Sequence, residues 1–129
     1  MNDKSQNIMV IDDYKDCADT LALLLKVHGY GVTTAYSGHE GLEAIFRSQP
    51  ACIFLDLGMP LMTGYEVAAR IRKMSDIRQP LLFAYTAWDD PQTKIKIIES
   101  GFDYLIKKTL GIEEILSILK CRLVRHPTG

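Results

Sequence analysis

Short apolar runs and amphipathic stretches alternate along the whole chain. Ile8-Met-Val-Ile11 is an apolar strand that stops at Asp12 and Asp13. The next stretch sets Cys17, Leu21, Leu24, Leu25 and His28 on one helical stripe, and Gly29 ends it. Gly31 to Ala35 is rich in β-branched residues and predicts strand two; Ser37, with Glu40 three residues on, predicts a capping box opening a helix to about Ser48. Cys52-Ile-Phe-Leu-Asp56 predicts a buried third strand that ends in a carboxylate, with Gly58, Pro60 and Gly64 as the punctuation that ends it. A third helix is expected from Gly64 to about Arg72, with Val67, Ala68 and Ile71 inward. Leu81 to Tyr85 predicts strand four, and Asp89 or Asp90 caps a helix through Ile95 and Ile98 to Ser100, closed by Gly101. Tyr104 to Ile106 predicts strand five, and Ile112, Ile115, Leu116, Leu119 and Leu123 share one face of a last helix reaching Arg125.

Strands that are apolar throughout, rather than alternating, belong in a parallel sheet covered on both sides. Five strand and helix units in this length fit an α/β doubly wound sheet of five parallel strands in the order 2-1-3-4-5, flanked by five helices. At 129 residues the chain is expected to be a single domain over 1–129, its core spanning about 8–124.

Charge narrows the partners. Fifteen Lys plus Arg against 16 Asp plus Glu give a net charge of -1, so neither nucleic acid nor an anionic membrane is an expected partner. Apolar runs such as Leu21 to Leu25 fall far short of the roughly 20 residues that span a bilayer. The polar start, Met1 to Asn7, is unlike a signal peptide, so a cytoplasmic location is expected. Cys17, Cys52 and Cys121 are odd in number and lack metal spacing, which predicts reduced, packed thiols.

The chemistry sits at strand ends. In the 2-1-3-4-5 order, the mouths of strands 1, 3, 4 and 5 are neighbours, bringing together Asp12, Asp13, Asp56, Thr86 and the Lys107-Lys108 pair. An Asp that follows a strand commonly does no more than cap a turn. Three converging carboxylates, however, repel by roughly 1 to 4 kcal/mol per pair and call for a cation. A hard divalent ion such as Mg²⁺ suits an all-oxygen site and leaves room for a phosphoryl oxygen. A lysine and a hydroxyl would neutralise the remaining oxygens, with Asp56 as nucleophile.

These residues, with Met59-Pro60, Gly64 and Ala87, resemble a response-regulator receiver domain of the CheY-like family, over about Ile8 to Leu123. The resemblance implies Asp56 as phosphoacceptor and Asp12 and Asp13 as Mg²⁺-holding acids, with the Gly58 backbone carbonyl as a further metal ligand. It implies Thr86 as the switch hydroxyl, Lys108 as the phosphate-binding lysine, and Ala87 as the small residue that leaves the phosphoryl group room. The donor would be a sensor histidine kinase or a histidine phosphotransfer protein. The receiver would act as a monomer or weak dimer, catalysing only its own phosphorylation and dephosphorylation and signalling through a changed partner-binding surface. A pseudo-receiver that only binds a partner is the alternative. A flavodoxin-like cofactor binder is disfavoured, because Asp12-Asp13-Tyr14-Lys15-Asp16 follows strand one where a phosphate loop would be needed.

The chain departs from the family at Thr109, where proline is usual, and at Leu105, where an aromatic is usual; Lys107 competes with Lys108, which the spacing favours. Trp88 is expected at the rim of the site, with Met59 and Met62 lining its approach. Lys94 and Lys96 read as a solvated face, and His39 and His126 as solvated side chains.

Overall fold

The computed structural model describes residues 6–123. The elements follow one another as β1 (Asn7–Ile11), α1 (Lys15–Val27), β2 (Gly31–Ala35), α2 (Gly38–Ser48), β3 (Cys52–Leu55), α3 (Gly64–Lys73), β4 (Leu81–Thr86), α4 (Pro91–Ser100), β5 (Tyr104–Lys107) and α5 (Ile112–Arg122). All strand pairs are parallel and the sheet order is β2-β1-β3-β4-β5, as the alternation of elements predicts.

Successive side chains of the three central strands feed opposite layers. Met9, Ile11, Ile53, Leu55, Leu82 and Ala84 pack with α2, α3 and α4. Ile8, Val10, Cys52, Phe54, Phe83 and Tyr85 pack with α1 and α5. Burial on both faces is why these strands read as unbroken apolar runs. Each fully buried Ile, Leu or Phe contributes about 1.5 to 3 kcal/mol of transfer free energy, so the sheet centre fixes the frame on which the loops stand.

Register places the strand ends. Ile11 lies opposite Leu55, and Leu55 opposite Ala84. The Asp12 N–H donates to Ala35 O at 3.1 Å and the Asp56 N–H to Ile11 O at 2.9 Å, so the two carboxylates leave the sheet side by side.

Several local expectations change. Ser37 Oγ accepts the Glu40 N–H as predicted, but the Glu40 carboxylate takes the Tyr36 N–H rather than that of Ser37, leaving the capping box incomplete. The complete box is at Thr63 and Glu66, which opens α3. Asp90, not Asp89, caps α4, with Pro91 in its first turn. His28 is exposed, because it is the C-cap of α1 and Gly29, at φ 97°, turns the chain away; its Nδ1 lies 2.9 Å from Leu24 O. On α4 only Ile97 is buried, while Ile95 and Ile98 face solvent. The predicted end of the last helix at Arg125, and His126, lie outside the described residues. Among those residues no helix is long and apolar enough to cross a membrane.

Candidate functional site

The C-terminal edge of the sheet gathers the predicted residues. Asp12 is 1% exposed; its Oδ1 accepts the Tyr14 N–H at 3.0 Å, a local bond that fixes the carboxylate as β1 turns into α1. Asp13 is exposed beside it and Asp56 is half-buried. One carboxylate oxygen from each of Asp12, Asp13 and Asp56 lies within 4.8 Å of the others.

Lys108 supplies the counter-charge. Its Nζ is 2.9 Å from Asp12 Oδ2 and 3.3 Å from Asp56 Oδ1. It also lies over the Tyr85 ring, 5.7 Å from the centroid. Strand β5 ends at Lys107, and the Lys108 N–H donates to Thr86 O at 2.9 Å, which aims the following side chain into the acids. Lys107 turns elsewhere and pairs with Asp89 at 3.3 Å. Of the two lysines it is Lys108 whose ammonium reaches Asp12 and Asp56. No cis peptide occurs among the described residues, so Lys108-Thr109 is trans.

Charge and burial set the proton affinities. Burial first, then the charge of Asp12, push the Asp56 carboxyl up to about 6, against the pull of Lys108. For Lys108, burial works to lower the ammonium's pKa, but the Asp12 and Asp56 carboxylates override it and hold it above its ordinary value. Cys17, the half-buried neighbour on α1, is raised to about 11 by burial and then by Asp12, so its thiol is protonated and inert.

The acids fit a small hard cation. Asp12 Oδ2 is buried and, although Lys108 Nζ is close, has no directed hydrogen bond, so an acceptor lone pair is left for a metal. Three oxygens from three carboxylates within 4.8 Å need little contraction to span an octahedral shell of about 2.1 Å radius.

Thr86, the last residue of β4, is 2% exposed. Its Oγ1 accepts the Trp88 N–H at 3.2 Å, a bond that orders the turn and leaves the hydroxyl hydrogen available for another acceptor. Ala87 is exposed at the mouth. Trp88 is at the rim as expected: its indole lies against Gly58, where a Cβ would sit 3.2 Å from Cη2. Gly64 closes the β3-α3 loop from below. Its N–H donates to Leu57 O at 2.9 Å, and any Cβ there would collide with the Asp56 carbonyl oxygen.

Met59 and Met62 do not line the approach. Both are buried in the α2-α3-α4 layer, because the loop folds its two methionines inward and presents Leu61 instead. Sequence reasoning missed the Tyr85 ring under Lys108 in the site and the exposure of Leu61 in the β3-α3 loop. The first had a signal in the alternation of β4, which sends Tyr85 and Thr86 to opposite faces. The second had none.

The sequence model of the response regulator receiver domain matches residues 8–120. The chain therefore belongs to the response-regulator receiver family of two-component signalling proteins. Its fold is similar to that of the Vibrio cholerae chemotaxis protein CheY4, at TM-score 0.84 and 25% identity, over 90% of this chain and 97% of that one. The receiver domain of a Syntrophus aciditrophicus signal transduction histidine kinase is also similar, at TM-score 0.81 and 25% identity, over 90% of this chain and 88% of that one. A two-component response regulator from Clostridium difficile shares the fold at TM-score 0.84 and 24% identity, over 92% of this chain and 95% of that one.

Proposed function

We propose that Asp56 accepts a phosphoryl group from a phosphohistidine, carried by a sensor kinase or a histidine phosphotransfer protein, in a Mg²⁺-dependent reaction in the cytoplasm. The observation that carries this reading is the Lys108 ammonium held between Asp12 and Asp56 at the mouth of the sheet. An Asp56 oxygen attacks phosphorus, the P–N bond breaks, and its electron pair returns to the imidazole. Asp12, Asp13, Asp56 and the Gly58 carbonyl would hold Mg²⁺, which when bound supplies positive charge to the phosphoryl oxygens. Lys108 neutralises a further oxygen and Thr86 donates its free hydroxyl hydrogen to another, while the small Ala87 leaves space. Positioning and charge neutralisation are most of what such a transfer requires. The phosphoryl group adds about −1.5 to −2 charges and three acceptor oxygens, which draw Thr86 and Lys108 inward. The chain catalyses only its own phosphorylation and its hydrolytic reversal.

Trp88, the only tryptophan, reports on the site from its place against Gly58. Its fluorescence is expected to change saturably with Mg²⁺ and again with phosphoramidate. Asp13→Ala should weaken the Mg²⁺ response by about tenfold or more, as loss of a ligand does no less than loss of an outer partner. Lys108→Ala should keep the Mg²⁺ response and blunt the second change; Lys107→Ala should alter neither. A phosphoramidate response equal in wild type and Asp56→Asn would refute the reading.

A further inference from the structure

Lys108 is held from two sides by carboxylates and from a third by an aromatic ring. Its Nζ lies 2.9 Å from Asp12 Oδ2, 3.3 Å from Asp56 Oδ1 and 5.7 Å from the centroid of Tyr85. Strand register explains the third contact. Ile106 of β5 lies opposite Tyr85, and Lys108 follows two residues on, so its stem leaves the sheet on the face where Tyr85 is packed. The ring is itself locked. Tyr85 is 7% exposed and meets Phe54 edge to face, with centroids 5.7 Å apart at 90°, while Phe54 lies 5.1 Å from Phe83. The Tyr85 hydroxyl makes no hydrogen bond to another described residue, so what Tyr85 offers Lys108 is the face of its ring.

Both acids that pair with Lys108 have a second claim on them. Asp12 Oδ2 is the buried acceptor left for a metal, and Asp56 gives up its full charge once a phosphoryl group esterifies it. A bound cation would offset the charge of both acids and weaken their hold on the ammonium just when the phosphoryl oxygens need it. Nothing in the lysine resists that loss, because its charge rides on a flexible four-carbon stem. The Tyr85 ring is neutral and has no such competing claim. An ammonium within about 6 Å of a ring face is attracted by the ring quadrupole, more strongly where water is excluded. The Lys108 side chain is 24% exposed, so part of its hydration is already gone. Leucine or valine would serve the layer as apolar bulk and lack that face.

On the reading of Asp56 as phosphoacceptor, we propose that Tyr85 is a positioning residue, whose ring face keeps the Lys108 ammonium in the pocket when the metal and the phosphoryl group take Asp12 and Asp56 from it. Tyr85 acts only through Lys108. Consecutive residues of β4 thus serve the two sides of the site, Tyr85 through the lysine and Thr86 through its hydroxyl.

The first test uses the protein without metal. In wild type the ε-CH₂ protons of Lys108, assigned by their loss in Lys108→Ala, should be shifted upfield by the ring current. Tyr85→Phe should keep that shift and Tyr85→Leu should remove it. The second test follows phosphorylation of Asp56 by phosphoramidate at saturating Mg²⁺, by intact mass. Tyr85→Phe should stay within about twofold of wild type, and Tyr85→Leu should be slower by about fivefold, the size of a partly desolvated cation–π contact. Mg²⁺ affinity, read from Trp88 fluorescence, should be the same in both variants as in wild type. In a Lys108→Ala background, Tyr85→Leu should cost nothing further, because residues that act through one contact are not additive. Any loss of packing in Tyr85→Leu is common to both backgrounds and cancels in that comparison. Lys108 protons unshifted in wild type, a fall in Tyr85→Phe equal to that in Tyr85→Leu, or the same fall in both backgrounds would each overturn the proposal. Wild type that phosphoramidate cannot phosphorylate at Asp56 would instead overturn the function itself, and this inference with it, whatever the ring current shows.

Discussion

Helices α3 and α4 cover the same face of the sheet and each has ten residues, yet they are held very differently. Helix α3 opens on a complete capping box and buries Val67, Ala68 and Ile71. Arg72, near its end, donates from Nε to Gly101 O at 2.8 Å and from Nη1 to Pro80 O at 2.9 Å, and pairs with Asp103 at 2.9 Å. Helix α4 buries Ile97 alone. Its anchor is at the far end, where Arg72 grips the Gly101 carbonyl; its first turn, next to Thr86, rests on the Asp90 cap. The loop that carries Asp56 thus leads into the rigid helix, and the strand that carries Thr86 leads into the loosely packed one. On the proposed function that division is useful, because the acid pocket would keep its geometry while the element beside Thr86 could move at modest free-energy cost.

The largest expected effect breaks the comparison at its packing. Ile71→Ala should cost about 2 to 5 kcal/mol in urea unfolding, by lost burial and the cavity left behind. Ile98→Ala, on the exposed side of α4, should stay within about 0.5 kcal/mol. Equal costs would mean that α4 is packed as firmly as α3.

Next is the charge stored in the pocket. The Asp56 carboxyl, raised to about 6 from an ordinary 3.8, binds its proton more tightly folded than unfolded. Its contribution is therefore most favourable below the unfolded value and is lost as pH rises from about 4 through 6. Without Mg²⁺, Asp56→Asn should be more stable than wild type at pH 7.5, by about 1 kcal/mol after allowance for solvent screening. The gap should close towards pH 4, and Mg²⁺ at ten times its Kd should raise wild-type stability at pH 7.5 by about 1.4 kcal/mol. Urea unfolding across pH, with and without Mg²⁺, measures both.

The smallest effect sharpens the comparison at its moving part. Thr86 lies on the face of the sheet that carries Leu105, which packs against the α4 side, whereas Tyr104 packs against the α5 side and cannot replace it. Leu105 can follow Thr86 by packing but offers no polar contact. The coupling between Asp56 and the α4-β5 surface should then be near 1 kcal/mol, at the low end of the usual range. Thr86→Ala should abolish the change in hydrogen exchange over 89–110 caused by a phosphoryl mimic, and Leu105→Tyr should enlarge it. Protection that survives Thr86→Ala would refute this route.

The strands, their order and the convergence of the acids were legible because buried parallel strands leave unbroken apolar runs and the order then dictates which loop ends meet. Lys108 was legible from spacing, although its exit just beyond β5, rather than an inward strand position, is what brings it to Asp12 and Asp56. What escaped were outcomes decided by competition among neighbours. Glu40 can reach either of two adjacent N–H groups and takes that of Tyr36. The methionines of the β3-α3 loop look interchangeable with Leu61 as apolar residues, and only the turn that the Met62 N–H closes on Pro60 O shows which of the three must face solvent.

The most direct measurement is the site and metal dependence of the covalent modification. Intact-mass analysis with peptide mapping, after phosphoramidate treatment, should find one phosphoryl group per chain, on Asp56, absent without Mg²⁺ and absent in Asp56→Asn. A phosphoryl group on another residue, or one that forms equally well without Mg²⁺, would contradict the account.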